Sequence, residues 1–154
     1  MADDDLGALF HHQLDPEANR MAEVQPRDAE AFNALWRRVL SDPAITARAI
    51  LADDELAGQI SCFVMEGHDA VGYWIAREHW GRGVASTALA LLLEEVTKRP
   101  LVARVARSNV ASIRVLERCG FVVERYEWSP GTERYLACEE AHLVLLARCV
   151  PTRA

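Results

Sequence analysis

Residues 73–88, Tyr-Trp-Ile-Ala-Arg-Glu-His-Trp-Gly-Arg-Gly-Val-Ala-Ser-Thr-Ala, limit what this chain can fold into more than any other stretch. A β-like run enters a short loop holding Gly81 and Gly83, and the loop opens at once into an Ala/Leu-rich helix. Glycines at such a junction let backbone N–H groups come close to an anion, and the helix N-terminus adds about half a positive charge. The segment therefore predicts a strand–loop–helix unit with a phosphate or pyrophosphate at its turn.

The remaining periodicities build a mixed domain around that unit. The acidic start, Met-Ala-Asp-Asp-Asp, reads as frayed over residues 1–12. Asp15-Pro16-Glu17 predicts a helix start, with Asp15 as N-cap and Pro16 at the first helical position, giving a short helix over 16–23. Asp28 caps a second helix, because Ala31, Phe32, Leu35, Trp36, Val39 and Leu40 recur at helical spacing and stop before Asp42-Pro43. Residues 46–52 and 56–65 read as strands joined through Asp53-Asp54; Gly67-His68-Asp69 gives the next turn and 70–76 a third strand.

A helix over 83–97 ends at Lys98-Arg99-Pro100, where cations meet the negative helix end and proline stops it. Residues 101–106 form a short strand. Ser108 or Asn109 caps the next helix, whose Ile113, Val115, Leu116 and Cys119 face inward and whose Gly120 suits a left-handed cap. Strands over 121–128 and about 139–148 flank Ser129-Pro130-Gly131. No linker or composition break divides residues 1–154, so one α/β (α+β) domain is expected.

Bulk properties exclude several roles. A net charge of −6 argues against non-specific nucleic-acid binding, which needs Lys and Arg to neutralise phosphates. No apolar run reaches the roughly 20 residues that span a bilayer. The acidic N-terminus is unlike a signal peptide, which places the protein in the cytoplasm. Cys62, Cys119, Cys138 and Cys149 are far apart and form no C-x-x-C pair, so free thiols are expected. No residues stand at metal-ligand spacing; His11 and His12 are adjacent and diverge on any regular element.

Two segments together resemble the GNAT superfamily of acyl-CoA-dependent N-acyltransferases. Trp80-Gly81-Arg82-Gly83-Val84-Ala85 is similar to the family's Q/R-x-x-G-x-G/A pyrophosphate loop, with Trp80 where Gln or Arg is usual. Asn109-Val-Ala-Ser112-Ile-Arg-Val-Leu-Glu-Arg-Cys-Gly-Phe121 resembles the Asn-x-x-Ser-…-Leu-Glu-…-Gly-Phe segment of the branch that acetylates ribosomal-protein N-termini. The resemblance is specific over residues 70–123, holds in outline to 148, and is weak before 45. It implies a mixed, mostly antiparallel sheet of six to seven strands flanked by helices, with a central β–loop–α site for CoA.

It also implies an N-acetyltransferase that uses acetyl-CoA and a primary amine, from a small molecule or a peptide or protein α-amine, by direct attack in a ternary complex. The alternative is a non-catalytic acyl-CoA-binding regulatory domain. By resemblance the CoA residues are Trp74, Ile75, Ala76 and Arg77 through their backbone, then Arg82, Gly83, Val84, Ala85 and Ser86 at the diphosphate, and Asn109 and Ser112. An amide near Trp74 or Ile75 would polarise the thioester carbonyl. Arg82 is either a phosphate contact or a solvated arginine, and Asn109 either a pantetheine contact or a plain helix cap.

The family tyrosine seven residues after the motif Asn is Leu116 here, and the glutamate five before it is Arg104. In the ribosomal-protein branch it is the motif Ser that serves the departing thiolate, so the resemblance implies Ser112 for that role, unless Ser112 only bonds its own helix. Glu127 is a candidate base, with Tyr126 and His142 beside it. Trp36, Phe32, Phe63, Trp74 and Trp128 either line a pocket or fill the core. Monomer and homodimer are both compatible with the sequence.

Without a strong base, a site suits weakly basic amines: a lysine near pKa ~10.4 is almost wholly protonated at neutral pH, whereas an α-amine near ~8 is neutral about one time in ten. Cys119 and Cys62 sit at apolar positions, and buried thiols are poor nucleophiles.

Overall fold

The computed structural model describes residues 1–147. Six strands form one sheet in the order β1-β2-β3-β4-β6-β5: β1 Thr46–Ala52, β2 Glu55–Met65, β3 His68–Ile75, β4 Leu101–Ala106, β5 Val122–Ser129 and β6 Cys138–Leu145. Every neighbouring pair is antiparallel except β3 and β4, which run parallel and share one paired position, Ala70 with Val102. The helices are α1 Asp3–His12, α2 Pro16–Ala22, α3 Ala29–Ser41, α4 Val84–Glu95 and α5 Val110–Arg118.

The N-terminal ten residues differ from expectation. They form α1 rather than a frayed start, for two reasons. Asp3, Asp4 and Asp5 occupy its first turn, where acidic side chains meet the positive helix end. Leu6, Leu9 and Phe10 lie on one face and pack with Phe32, Trp36 and Ala47, Phe10 meeting Phe32 edge-on at 5.3 Å.

Other boundaries move little. Asp15 accepts from the Glu17 and Ala18 amides, and Asp28 from that of Ala31, as the caps predicted. Asp53 and Asp54 both have positive φ (51° and 65°), the conformation of a tight hairpin turn. The second hairpin turns one residue earlier than expected, at Glu66 and Gly67 (φ 50° and 80°), so His68 already belongs to β3. Helix α4 stops at Glu95, with Arg99 donating to the Val96 and Lys98 carbonyls. β6 ends at Leu145; Arg148 and Cys149 lie outside the described residues.

Two apolar clusters hold the layers. The larger lies under α4 and α5, where Leu89, Leu92, Leu116, Phe121, Leu101 and Leu143 are almost fully buried; the smaller lies under α1 and α3. Ile50 and Ala47, three apart on β1, serve one cluster each, so the two cover opposite faces of the sheet there. Gly58 lets β2 lie close on β3: a Cβ at that position would stand 2.0 Å from the Trp74 carbonyl oxygen. The segment of β3 opposite is thus fixed in place by the absence of a side chain.

The small helices are joined by amide side chains. Gln13, 6 % exposed, donates from Nε2 to the Arg27 carbonyl and accepts from the Arg27 amide, and Asn19 donates to the Gln13 and Asp15 carbonyls. Gln13→Ala leaves both backbone groups of Arg27 unpaired, and a loss of about 2–3 kcal/mol is expected in urea unfolding. An unchanged urea midpoint would show that the clamp does not hold α1 to the α2–α3 connection.

Candidate functional site

Because β3 and β4 pair at one position only, a cleft opens toward their C-terminal ends. Its volume is about 460 Å³. Tyr73, Trp74 and Ile75 of β3 form one wall; Asn109, Ser112 and Val115 of α5 form another; α2 contributes Ala18, Met21 and Ala22. The loop and first turn of α4 (Gly81, Gly83, Val84, Ala85 and Ser86) close its end. Small apolar-walled clefts with a few convergent polar groups are the usual form of ligand sites.

The loop leaves the start of α4 open. Gly81 and Gly83 have φ of 71° and 73°, and a Cβ at either would meet nothing within 4 Å, so the loop surface is left open. Gly83 caps α4 without a side-chain bond, and no acidic residue stands in the first turn. The amides of Val84, Ala85 and Ser86 thus carry no capping acceptor. The Ser86 hydroxyl is buried with no partner among the described residues. Trp80 anchors the loop by donating from its indole to the Ile75 carbonyl at 2.9 Å.

The β3 wall supplies backbone groups. Pairing with β2 uses the amides of Trp74 and Ala76, the latter donating to the Ala57 carbonyl at 2.8 Å. Alternation then turns the N–H groups of Tyr73 and Ile75 toward the gap before β4. Between Trp74 and Ile75, the amide that faces the cleft is that of Ile75. Across the gap, the Tyr73 hydroxyl lies 2.7 Å from Ser112 Oγ and donates within reach of the Ser112 carbonyl at 3.2 Å. Burial pushes the Tyr73 phenol up to about 12, so it stays protonated at neutral pH. Asn109 Oδ1 accepts from the Ser112 amide at 3.3 Å, so Asn109 rather than Ser108 caps α5 while also lining the cleft.

Several expected residues lie elsewhere. Ala76 is buried, with its amide already paired. Arg77 binds Asp15 at 3.1 Å. Arg82 lines a neighbouring groove between β1 and α4 and donates to Asp53 at 2.7 Å, on the β1–β2 turn. Tyr126 and Glu127 do not line the cleft, because β6 inserts between β4 and β5 and carries β5 to the sheet edge. There Tyr126 lies under the Arg107 guanidinium at 4.2 Å, and Glu127 is paired with Arg125 and 3.7 Å from His142. Phe32 and Trp36 fill the core, Trp74 lines the cleft, and Trp128 is exposed.

Tyr73, His79, Arg114 and Arg118, none of them expected from the sequence, also line the cleft. Arg114 and Arg118 were legible as an i, i+4 pair on the helix carrying Ser112. Tyr73 and His79 gave no such signal, since their roles depend on partners 39 and 3 residues away in the chain. Burial raises the thiols of Cys62, Cys119 and Cys138, so none is activated. Among the described residues no group of His, Cys, Asp and Glu is placed to hold a metal, and no helix is long and apolar enough to cross a membrane.

Comparison with known proteins identifies the family and the fold. Residues 1–122 match the family model described as "Acetyltransferase (GNAT) domain". The "Putative ribosomal N-acetyltransferase YdaF" of Bacillus subtilis (strain 168) is 32 % identical over 96 residues, covering 58 % of this chain and 52 % of that protein; the match thus spans about half of that relative's length. Spermidine N-acetyltransferase from Vibrio cholerae, in complex with CoA and spermine, superposes with a TM-score of 0.79 at 18 % identity, covering 95 % of this chain and 92 % of the other. Mycobacterium smegmatis RimJ in complex with CoA-disulfide gives 0.76 at 21 %, covering 99 % and 82 %. The chain belongs to the GNAT acetyltransferase family.

An anion on the α4 amides makes Gly83 a decisive position. Gly83→Asp places a carboxylate there, which suits a helix N-cap but repels phosphate. Calorimetric affinity for CoA is expected to fall at least about tenfold, with stability changed by about 1 kcal/mol from the positive φ. Unchanged CoA binding would remove the loop from the site.

Proposed function

We propose that this protein transfers the acetyl group of acetyl-CoA to a primary amine, by direct attack of the amine in a ternary complex. The observation that carries the reading is the Tyr73–Ser112 hydrogen bond of 2.7 Å, set in the same cleft as the uncapped start of α4. Cofactor fit rests on the open glycines, the free amides of Val84 to Ser86 and the unpartnered Ser86 hydroxyl. Arg114 and Arg118 add positive charge along the cleft for the phosphates.

The pantetheine arm would lie along the unpaired side of β3, and the Ile75 amide would donate to the thioester oxygen as it gains charge. A neutral amine attacks the carbonyl carbon, the C–S bond breaks, and the nitrogen's surplus proton must reach sulfur. Ser112 can stand beside that sulfur and pass its hydroxyl proton there, with Tyr73 turning its one O–H from the Ser112 carbonyl to Oγ; the proton that the nitrogen releases to water then restores the Ser112 hydroxyl, so the transfer balances. The pair thus orients one proton toward the leaving group. The raised thiols argue against an acyl-cysteine intermediate.

The residues that line the cleft include no carboxylate. This favours acceptors that are partly neutral by themselves, α-amines over lysine side chains. The relatives' names point to both ribosomal-protein and polyamine acceptors, and the cleft chemistry supports the former class.

Ser112→Ala is expected to lower kcat about 10²-fold with little change in the KM for acetyl-CoA, and Tyr73→Phe to lower it by less. Matched peptides, one with a free N-terminus and one with only a lysine amine, should be acetylated in that order of rate. CoA binding with no thiol release from acetyl-CoA across a broad amine panel would instead identify a regulatory binding domain.

A further inference from the structure

His79 is the one imidazole lining the cleft, and none of the expectations assigned it a task. It ends the short 3-10 turn Arg77–His79 that leads from β3 into the glycine loop, and it is only 4 % exposed. Its Nδ1 lies 3.2 Å from Arg82 Nη1. A guanidinium can only donate, so Nδ1 must accept, and a neutral His79 then carries its proton on Nε2. Arg82 is itself held by Asp53 at 2.7 Å. A carboxylate on the β1–β2 turn thus fixes an arginine, and the arginine fixes the tautomer of an imidazole at the cleft wall.

The second nitrogen is unoccupied. Nε2 makes no hydrogen bond within the described residues, yet it is not among the sealed, partnerless polar atoms, as the Ser86 hydroxyl is. A buried imidazole lining the cleft, whose Nε2–H has no acceptor among the described residues and whose neighbours are the uncapped amides of α4, is suited to an oxygen of an anion bound there.

We infer that His79 is a cofactor-binding residue whose Nε2–H donates to the diphosphate of CoA, and that Arg82 serves as the positioning residue that locks the tautomer. The inference rests on the CoA reading above and extends it. Arg82 lies in the neighbouring groove and acts on the ligand through the imidazole, not by its own charge. Asp53 holds that arginine from outside and needs no contact with the ligand.

Nitrogen-15 NMR of histidine-labelled full-length protein reads the tautomer directly, with the His79 signals identified by their loss in His79→Gln. In the free protein Nε2 should be the protonated nitrogen, and titrating CoA should move its signal while Nδ1 stays an acceptor. Arg82→Met should release the lock and give a mixture of tautomers. In calorimetry, His79→Asn, whose amide is too short to reach the Nε2 position, should weaken CoA about tenfold or more, and His79→Gln should recover most of the loss.

A proton on Nδ1 in the free protein would overturn the inference. So would CoA binding, seen by calorimetry, that leaves the Nε2 signal unmoved, or His79→Asn binding CoA as tightly as the unaltered chain. If the unaltered protein bound no CoA at all, the cofactor reading itself would fail and this inference with it; CoA binding with a silent His79 defeats the inference alone.

Discussion

The site exists because backbone pairing stops between two strands. A buried strand normally spends every N–H and C=O on its neighbours, since an unpaired group away from water is costly. β3 and β4 share only Ala70 with Val102, and beyond that position the free edge of β3 faces a cleft instead of a strand. Ligands in open sheets lie where neighbouring strands part at their C-terminal ends, and here α4 and α5 both begin at that parting. One break in the ladder thus supplies an extended edge for a polar chain, a helix start for an anion, and a gap that Tyr73 crosses to reach Ser112.

The charged side chains around the cleft work mainly from behind it. Arg77 is held by Asp15, the residue that caps α2, and Arg82 by Asp53 on a hairpin turn. Both arginines are exposed, and each pair alone adds little stability. Their effect is geometric: α2 is tied to the end of β3, and the β1–β2 turn to the glycine loop. The uncapped amides at the start of α4, whose direction is fixed by the helix, would need no rearrangement to meet the phosphates of the proposed cofactor.

Local signals in the sequence were the reliable ones. Asp15 with Pro16, and Asp28, announced their helices, and the caps are where they pointed. Asp53-Asp54 announced its hairpin, and Gly81 and Gly83 the loop that leads into α4, because each acts on its own backbone. The start of α1 misled, since three aspartates suggested solvation while in fact suiting the positive end of a helix whose Leu6, Leu9 and Phe10 had a partner surface. Glu127 and Tyr126 misled for a topological reason. They follow the α5 motif closely in the chain, yet the last strand takes the place beside β4 and moves them to the edge.

The amino-acid sequence by itself determined the order of elements from α2 onward, the glycine loop, the capped α5 and membership in the GNAT acetyltransferase family, because these are written in runs of neighbouring residues. Only the tertiary structure decided that β3 keeps a free edge, that Tyr73 meets Ser112, and that Arg82 turns toward Asp53 and His79. The Tyr73–Ser112 and Arg82–Asp53 contacts join residues 39 and 29 apart in the chain and are set by which strand pairs with which, and the turn that brings Arg82 to His79 is held in place by the Asp53 contact. Periodicity reports which face of an element is apolar and carries no information about what that face, or its edge, will meet.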